Sequence, residues 1–403
     1  MTRWRRSSQA RNTHLGPLFN AALPLLATLA ALAVGALLLL LLNANPLEAY
    51  AAMLQGAFGN PNALAETLVK ATPLLLVGVG ICIAFRGGVI NIGGEGQYIA
   101  GALLATVFAL HAPAWPTWLL ITVAVLFAFL GGAIWGGIAG ALKAYLNVNE
   151  ILSTIMLNQI AVQAMNFLLS GALIDPLQAA ADSQIPQTER FAVLFDLPRL
   201  VPTRLHIGAL IAVLVAVLGY VLLWRTSLGY RIRAVGINPH ASRYAGIRVE
   251  RYIVLALLLS GAFAGMAGGI QVLGVSHRML TDGSATGFTG SVGFNGIVAA
   301  LFGGLHPLGT IPASVLFGGL LVGANQLQRT LQVPTALVPT LNGLVVIFVV
   351  SSEIWKRRRA RMQSIPGNEP DRAVPEDEPA KAALQANETD SPDGRIIEVE
   401  DDL

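Results

Sequence analysis

The chain has 403 residues, of which 54% are hydrophobic and only 12% charged, with a formal net charge of +3 and a mean hydropathy of +0.62. A soluble domain carries about 25% charged residues, so an ordinary soluble core is excluded, and an all-α polytopic membrane protein is the expected fold class. The single cysteine, Cys82, excludes disulfides and cysteine-based metal sites. Six scattered histidines, none in an HxxxH or HExxH pair, leave no expected metal site.

In chain order, residues 1–20 form a basic N-terminal segment and ALPLLATLAALAVGALLLLLL (22–42) the first span. The run is too long for a signal h-region and lacks a small-residue cleavage site. About 20 apolar residues cross a bilayer, and the runs place spans near 21–42, 66–85, 97–111, 118–142, 150–169, 205–224, 252–272, 291–304, 308–328 and 334–353. Seventeen basic residues fall on one side, including Arg86, Lys143 and six arginines between 225 and 251. Six fall on the other, among them Lys70, Arg204 and Arg278. The positive-inside rule makes both termini of this multi-pass protein cytoplasmic. The basic residues lack aromatic interleaving, so nucleic acid is not an expected partner.

Three polar pieces remain. Residues 170–204 read as an external segment and 225–251 as a long cytoplasmic loop. The stretch 356–403 is basic, then rich in Pro, Glu and Asp, the composition of a disordered tail. Residues 21–355 are left as one transmembrane domain.

One stretch is out of place. RGGVINIGGEGQYIAGALLA (86–105) interrupts an apolar region with Asn91, Glu95 and Gln97 among glycines at 87, 88, 93, 94 and 96. A plain turn at the surface would explain it, with Glu95 capping a helix or pairing with Arg86. A helix broken near the midplane would explain it too, because irregular backbone at depth is tolerated where it lines a cavity or is buried in protein. A second glycine-interrupted segment, SATGFTGSVGFNGIVAALFGG (284–304), carries Phe288 and Asn295. Paired segments of this kind signal two inverted repeats around a substrate route, and a charge at depth should face protein or water. The expected route residues are Asn91, Glu95, Gln97, Asn158, Phe288 and Asn295.

GGVINIGGEGQYIAGALLA and VNEILSTIMLNQIA (148–161) resemble the permease subunits of bacterial ATP-binding-cassette importers. The branch is the one that takes nucleosides from basic-membrane-protein-type lipoproteins. TSLGYRIRAVGINPHASRYAGI (226–247), LSGAFAGMAGGIQVLG (259–274) and GIVAALFGGLHPLGTIPASVLFGGLLVGANQLQ (296–328) continue the resemblance. It implies a nucleoside permease subunit of the bacterial inner membrane with no catalytic residues, a second and related permease beside it, an external substrate-binding lipoprotein and a cytoplasmic ATPase that holds ATP and Mg. It also implies that 226–247 couples to that ATPase, through Thr226, Gly229, Arg231, Arg233, Ala234, Gly236, Asn238, Ala241, Ala245 and Gly246. Simple sugars are the alternative cargo, and an ion-coupled secondary transporter is the alternative class.

The residues alone agree on two points. The loop 225–251 has six arginines, one acid and an apolar pattern that suits a short amphipathic helix around Pro239, able to dock in a partner's groove. None of the four lysines follows a glycine, so no GxxxxGK[ST] phosphate loop exists and the chain is not expected to be an enzyme. Gly132, Gly136 and Gly140, like Gly261, Gly265 and Gly269, recur every fourth residue, as membrane helices that pack closely require.

Overall fold

A computed structural model describes residues 29–30, 32–41, 44–180, 185–331 and five scattered positions between 340 and 351. All belong to one compact unit, Met1–Glu353; a second unit, Ile354–Leu403, lies outside the described residues with the expected tail. The expected span 334–353, the N-terminal segment and much of the first span lie largely outside them as well.

The helices follow one another as α1 (Leu32–Leu41), α2 (Pro46–Phe58), α3 (Pro61–Arg86), α4 (Gly94–His111), α5 (Thr117–Leu146), α6 (Glu150–Leu169) and α7 (Pro176–Ala179). They continue as α8 (Gly208–Arg225), α9 (Ser227–Ile237), α10 (Pro239–Tyr244), α11 (Val249–Gln271), α12 (Ala285–Thr289), α13 (Val292–Phe302) and α14 (Pro307–Leu331). No strand occurs among the described residues, only isolated bridges such as Gln187–Leu280. Among the described residues six helices are long and apolar enough to cross a membrane, α11 with its π-turn extension to Ser276 among them. The pair α1 and α2, bent by 119°, would make a seventh.

Local sequence sets many of the boundaries. Asn60 accepts a hydrogen bond from the Ala63 N–H ahead of Pro61, and Asn149 accepts from the Ile151 and Leu152 N–H groups, the side-chain caps that begin α3 and α6. Helix α2 was not among the expected spans. It packs Ala49 and Met53 on Leu39 and Leu327, and its amphipathic sequence carries no span-like run.

Helix α11 is the central post. A Cβ on Gly132 would overlap the Gly261 carbonyl oxygen, one on Gly140 would lie 2.9 Å from Val254 Cα, and one on Gly101 would overlap Gly265. The two glycine stripes therefore face each other, and α5 and α11 touch backbone to backbone with α4 alongside. Larger side chains would force the helices apart and forfeit close van der Waals contact, the main attraction between helices in lipid. Away from this seam, α5, α6 and α8 present exposed Leu126, Ile134, Phe167 and Leu214, the face an apolar solvent would wet.

Among the described residues, the basic side chains sort between two ends of the protein. Arg86, Lys143 and the segment 225–251 gather at one end, here the basic end. Lys70, Arg278 and the Arg204–Glu66 pair (3.7 Å) lie at the far end.

Candidate functional site: a junction of broken helices and a far-end cavity

Arg86 ends α3 at the basic end, where the carbonyl of Arg86 and the glycines after it pack on Gly236 of α9. Gly88, at φ 76°, turns the chain; a Cβ there would lie 2.8 Å from Gly236 Cα, so only glycine suits both the backbone and the space. The chain then runs back inward. By Gly94 it lies beside Val77 and Gly293, with 3.5 Å from a Gly94 Cβ to Val77 Cγ1. Val77 precedes Arg86 by nine residues, about 13 Å along a helix. Helix α4 therefore begins beside the interior of α3, well inside its basic end.

Amides hold this join. The Asn91 Nδ2 group donates to Gln97 Oε1 (2.9 Å) and to Ser260 Oγ (2.8 Å), while Asn91 Oδ1 accepts from the Gly93 N–H (2.8 Å) and from Gln97 Nε2 (3.1 Å). Asn158 Oδ1 accepts from the Gly96 N–H (2.8 Å), and its Nδ2 donates to the Ile92 carbonyl (3.0 Å). Burial without partners would cost several kcal/mol in all, at roughly 1–3 kcal/mol per unpaired group; partnered, the three amides fix an irregular backbone in the interior.

The second segment meets the first. Gly290 and Ser291, both left-handed at φ 59° and 60°, end α12 and release α13. A Cβ on Gly293 would lie 2.5 Å from the Glu95 nitrogen, and the Phe294 N–H donates to Glu95 Oε1 (3.2 Å). Helix α4 runs from this point to the far end. Helix α13 runs to the basic end, where Arg86 donates to the carbonyls of Leu305 (3.1 Å) and Gly304 (3.3 Å). The 18-residue α4 and the 11-residue α13 thus start N-terminus to N-terminus, each carrying about half a positive charge there. Glu95, 3% exposed and in the first turn of α4, lies between them. The Glu95 carboxyl meets the α13 terminus through the Phe294 N–H and stands in the first turn of α4, and the alternative pairing with Arg86 is not formed.

Above the junction a cavity of about 340 Å³ lies towards the far end, lined by Tyr98, Gln271, Ser276, Phe288, Thr289 and Asn325, with Lys70 and Arg278 also reaching it. Tyr98 and Phe288 form a tilted ring pair 5.8 Å apart. Thr289 also interacts with the Glu95 carboxyl, so the cavity adjoins the junction. Of the six expected route residues only Phe288 lines this space. Asn91, Gln97 and Asn158 are brought together as fasteners of the join, Glu95 joins two helix termini, and Asn295 is half-buried on α13. Sequence reading missed Tyr98, Gln271, Thr289 and Asn325, because they come from four elements and only tertiary packing gathers them. Tyr98, one turn after Glu95, was the one findable from spacing.

The basic segment folds as two short helices rather than one. Thr226 caps α9, accepting from the Gly229 N–H (3.1 Å), and Asn238 caps α10, accepting from the Ala241 N–H (3.0 Å) with Pro239 at its first position. Ile232 and Val235 anchor α9 in the protein, whereas Tyr230, Ile237 and Tyr244 are 62%, 85% and 96% exposed. Ala241, Ala245 and Gly246 belong to that open face, while Ala234 and Arg233 are half-buried. Arg231 donates to the Tyr252 hydroxyl (2.9 Å) and Arg233 lies 5.5 Å over the Trp224 ring. Gly229 and Gly236 face inward: a Cβ would overlap the Leu222 carbonyl at one and the Arg86 carbonyl at the other. These two expected docking residues therefore seat the segment on the protein.

Comparison with known proteins places the sequence in a family. The model of the branched-chain amino acid transport system / permease component family matches residues 63–350. The guanosine ABC transporter permease protein NupP of Bacillus subtilis (strain 168) is 36% identical over 335 residues, 83% of this chain and 94% of the relative. The glucose ABC transporter permease protein TsgB13 of Haloferax volcanii is 35% identical over 347 residues, covering 83% and 88%. The nucleoside ABC transporter permease protein NupB of Lactococcus lactis subsp. cremoris (strain MG1363) is 29% identical over 355 residues, covering 86% and 95%. No solved structure matches the chain. An all-helical body with membrane-length apolar helices, joined to a family match over most of its length, makes this chain a member of the branched-chain amino acid transport system permease family, an integral membrane permease component of ABC transporters.

Proposed function

We propose that this permease imports nucleosides across the bacterial inner membrane, driven by ATP hydrolysis on a separate subunit. The observation that carries the substrate is the 36% identity, over nearly the whole relative, to a permease named for guanosine. In this reading the basic end is cytoplasmic, as are both termini. Ten segments, α4 and α13 among them, line up across the bilayer. The opposed α4 and α13, meeting N-terminus to N-terminus, support two inverted repeats, with half-helix ends near the midplane as such transporters use them.

The domain runs from 21 to 355, with 1–20 and 356–403 as cytoplasmic extensions. An ATPase, holding ATP and Mg, docks on the open face of α9 and α10. Recesses of about 470 and 370 Å³ beside Tyr230, Ile237 and Ile247 suit an inserted side chain. A second permease completes the pore, and an external binding lipoprotein delivers the substrate. The chain holds no metal or cofactor of its own.

A sugar is the second reading, favoured by the 35% identity to a permease named for glucose. Reconstitution with the ATPase, second permease and binding protein separates the two. ATP-driven uptake of labelled nucleoside, with none of glucose, is the expected result. Uptake by the chain alone under a proton or sodium gradient would instead make it a secondary carrier.

A further inference from the structure

We propose that the far-end cavity is a nucleobase station, which holds the base of a nucleoside against the ring of Phe288, itself backed by the buried Tyr98, and reads its edge with the carboxamides of Gln271 and Asn325. This rests on the nucleoside reading above and adds the residues that choose among substrates.

The cavity's roughly 340 Å³ falls within the range of about 300–1,000 Å³ in which small-ligand sites occur. Phe288, from α12, is half-buried and lines the cavity, while Tyr98 of α4, 1% exposed, packs against it at a 58° tilt and holds the ring in place for a flat guest. Aromatic side chains gain about 1–3 kcal/mol by stacking on any base. The polar lining is of amides, hydroxyls and two cations, with no carboxylate among the described residues that line it. A hexose presents hydroxyl donors on every side, for which carboxylates are the strong acceptors. A carboxamide presents a donor beside an acceptor in one plane, which matches the mixed edge of a base, as Asn and Gln match adenine. Lys70 and Arg278 disfavour cationic solutes and leave neutral nucleosides admissible.

Position completes the case. Tyr98 lies one turn from Glu95, and Thr289 both lines the cavity and interacts with the Glu95 carboxyl. A base held at Phe288 therefore lies beside the point where α4 and α13 start.

The test uses the complete transporter in proteoliposomes, with labelled guanosine, adenosine and glucose. Wild-type uptake decides the import reading: glucose uptake without nucleoside uptake overturns it. Where nucleosides enter, the variants decide the station. Phe288→Leu is expected to raise the KM for both nucleosides about tenfold, as loss of one stacking contact implies, and Phe288→Tyr to restore it. Asn325→Asp and Gln271→Glu replace a donor–acceptor pair by acceptors alone. Guanine offers two adjacent donors on its pairing edge and adenine a donor beside an acceptor. The guanosine-to-adenosine uptake ratio is therefore expected to rise about tenfold in at least one acid variant. This ratio is independent of how much protein reaches the membrane. Nucleoside uptake with the ratio unmoved in both acid variants and the KM unmoved in Phe288→Leu overturns the station and leaves the import reading standing.

Discussion

The buried junction and the α9–α10 segment are built from the same residue types, asparagines and glycines at helix breaks with arginines nearby, and they behave in opposite ways. At the junction Asn91, Gln97 and Asn158 are at most 5% exposed and spend their hydrogen bonds on one another and on the backbone. In the segment, Asn238 caps a surface helix whose neighbours Ile237 and Tyr244 stand in solvent. Depth decides the meaning of a polar residue. Where no water competes, an amide must be satisfied by protein and becomes a fastener; at a surface it shapes a turn and leaves apolar side chains for a partner.

The comparison can be broken most easily at Gly293. Its Cβ would lie 2.5 Å from the Glu95 nitrogen, a backbone atom that cannot move without displacing α4. Gly293→Val is expected to leave no folded permease in the membrane, judged by protease resistance and abundance. Normal abundance with transport intact would mean that α4 and α13 do not meet this closely.

A smaller loss is expected at Asn158, whose replacement by leucine orphans the Gly96 N–H and the Ile92 carbonyl. At about 1–3 kcal/mol per buried group, Asn158→Leu should lower stability by roughly 2–4 kcal/mol, read as a fall in the unfolding midpoint in detergent. If Asn158 lined the route and did not fasten the join, transport would fall while that midpoint stayed put.

The opposite pattern is expected on the open face. Ala245→Glu should leave stability within about 0.5 kcal/mol, as surface substitutions do, and reduce substrate-stimulated ATP hydrolysis about tenfold. Gly236→Glu belongs with the junction instead, because its side chain would strike the Arg86 carbonyl; it should cost stability as well as coupling. Equal effects from both would erase the division between the seated and open faces of α9 and α10.

The smallest effect tests burial away from both regions. His206, 2% exposed at the far end, accepts the Gly208 N–H through Nδ1 (3.1 Å), and its neighbour His277 pairs with Asp196 (2.7 Å). Burial, with a contribution from His277, pushes its pKa down to about 4 from an ordinary 6.5. The folded state keeps this ring neutral while the unfolded chain binds a proton first. Its contribution is therefore full above pH 6.5 and lost as the pH falls towards 4. A midpoint that declines over this window in the wild type should decline less in His206→Gln. Identical pH profiles would show that the ring is wetter than its burial implies.

Sequence alone determined the class and much of the plan. Low charge and long apolar runs require a membrane solvent, basic residues sort by side, and glycine stripes mark where helices touch. These are properties of single segments, so they survive without a partner in view: α6 occupies its expected residues, and α3, α5, α8 and α14 lie within a few residues of theirs. The two glycine-interrupted segments were legible as a pair, and Glu95 as out of place. Only the tertiary structure decided that α4 and α13 start against each other, that Glu95 answers two helix termini and not Arg86, and that Gly236 faces inward. It alone gathered Tyr98, Gln271, Phe288 and Asn325 around one cavity. The reason is physical: the hydrogen-bond partner of a buried amide lies up to 169 positions away, as Ser260 does from Asn91, and no local period records it. An asparagine that fastens a join and one that lines a route look alike in sequence, and packing tells them apart.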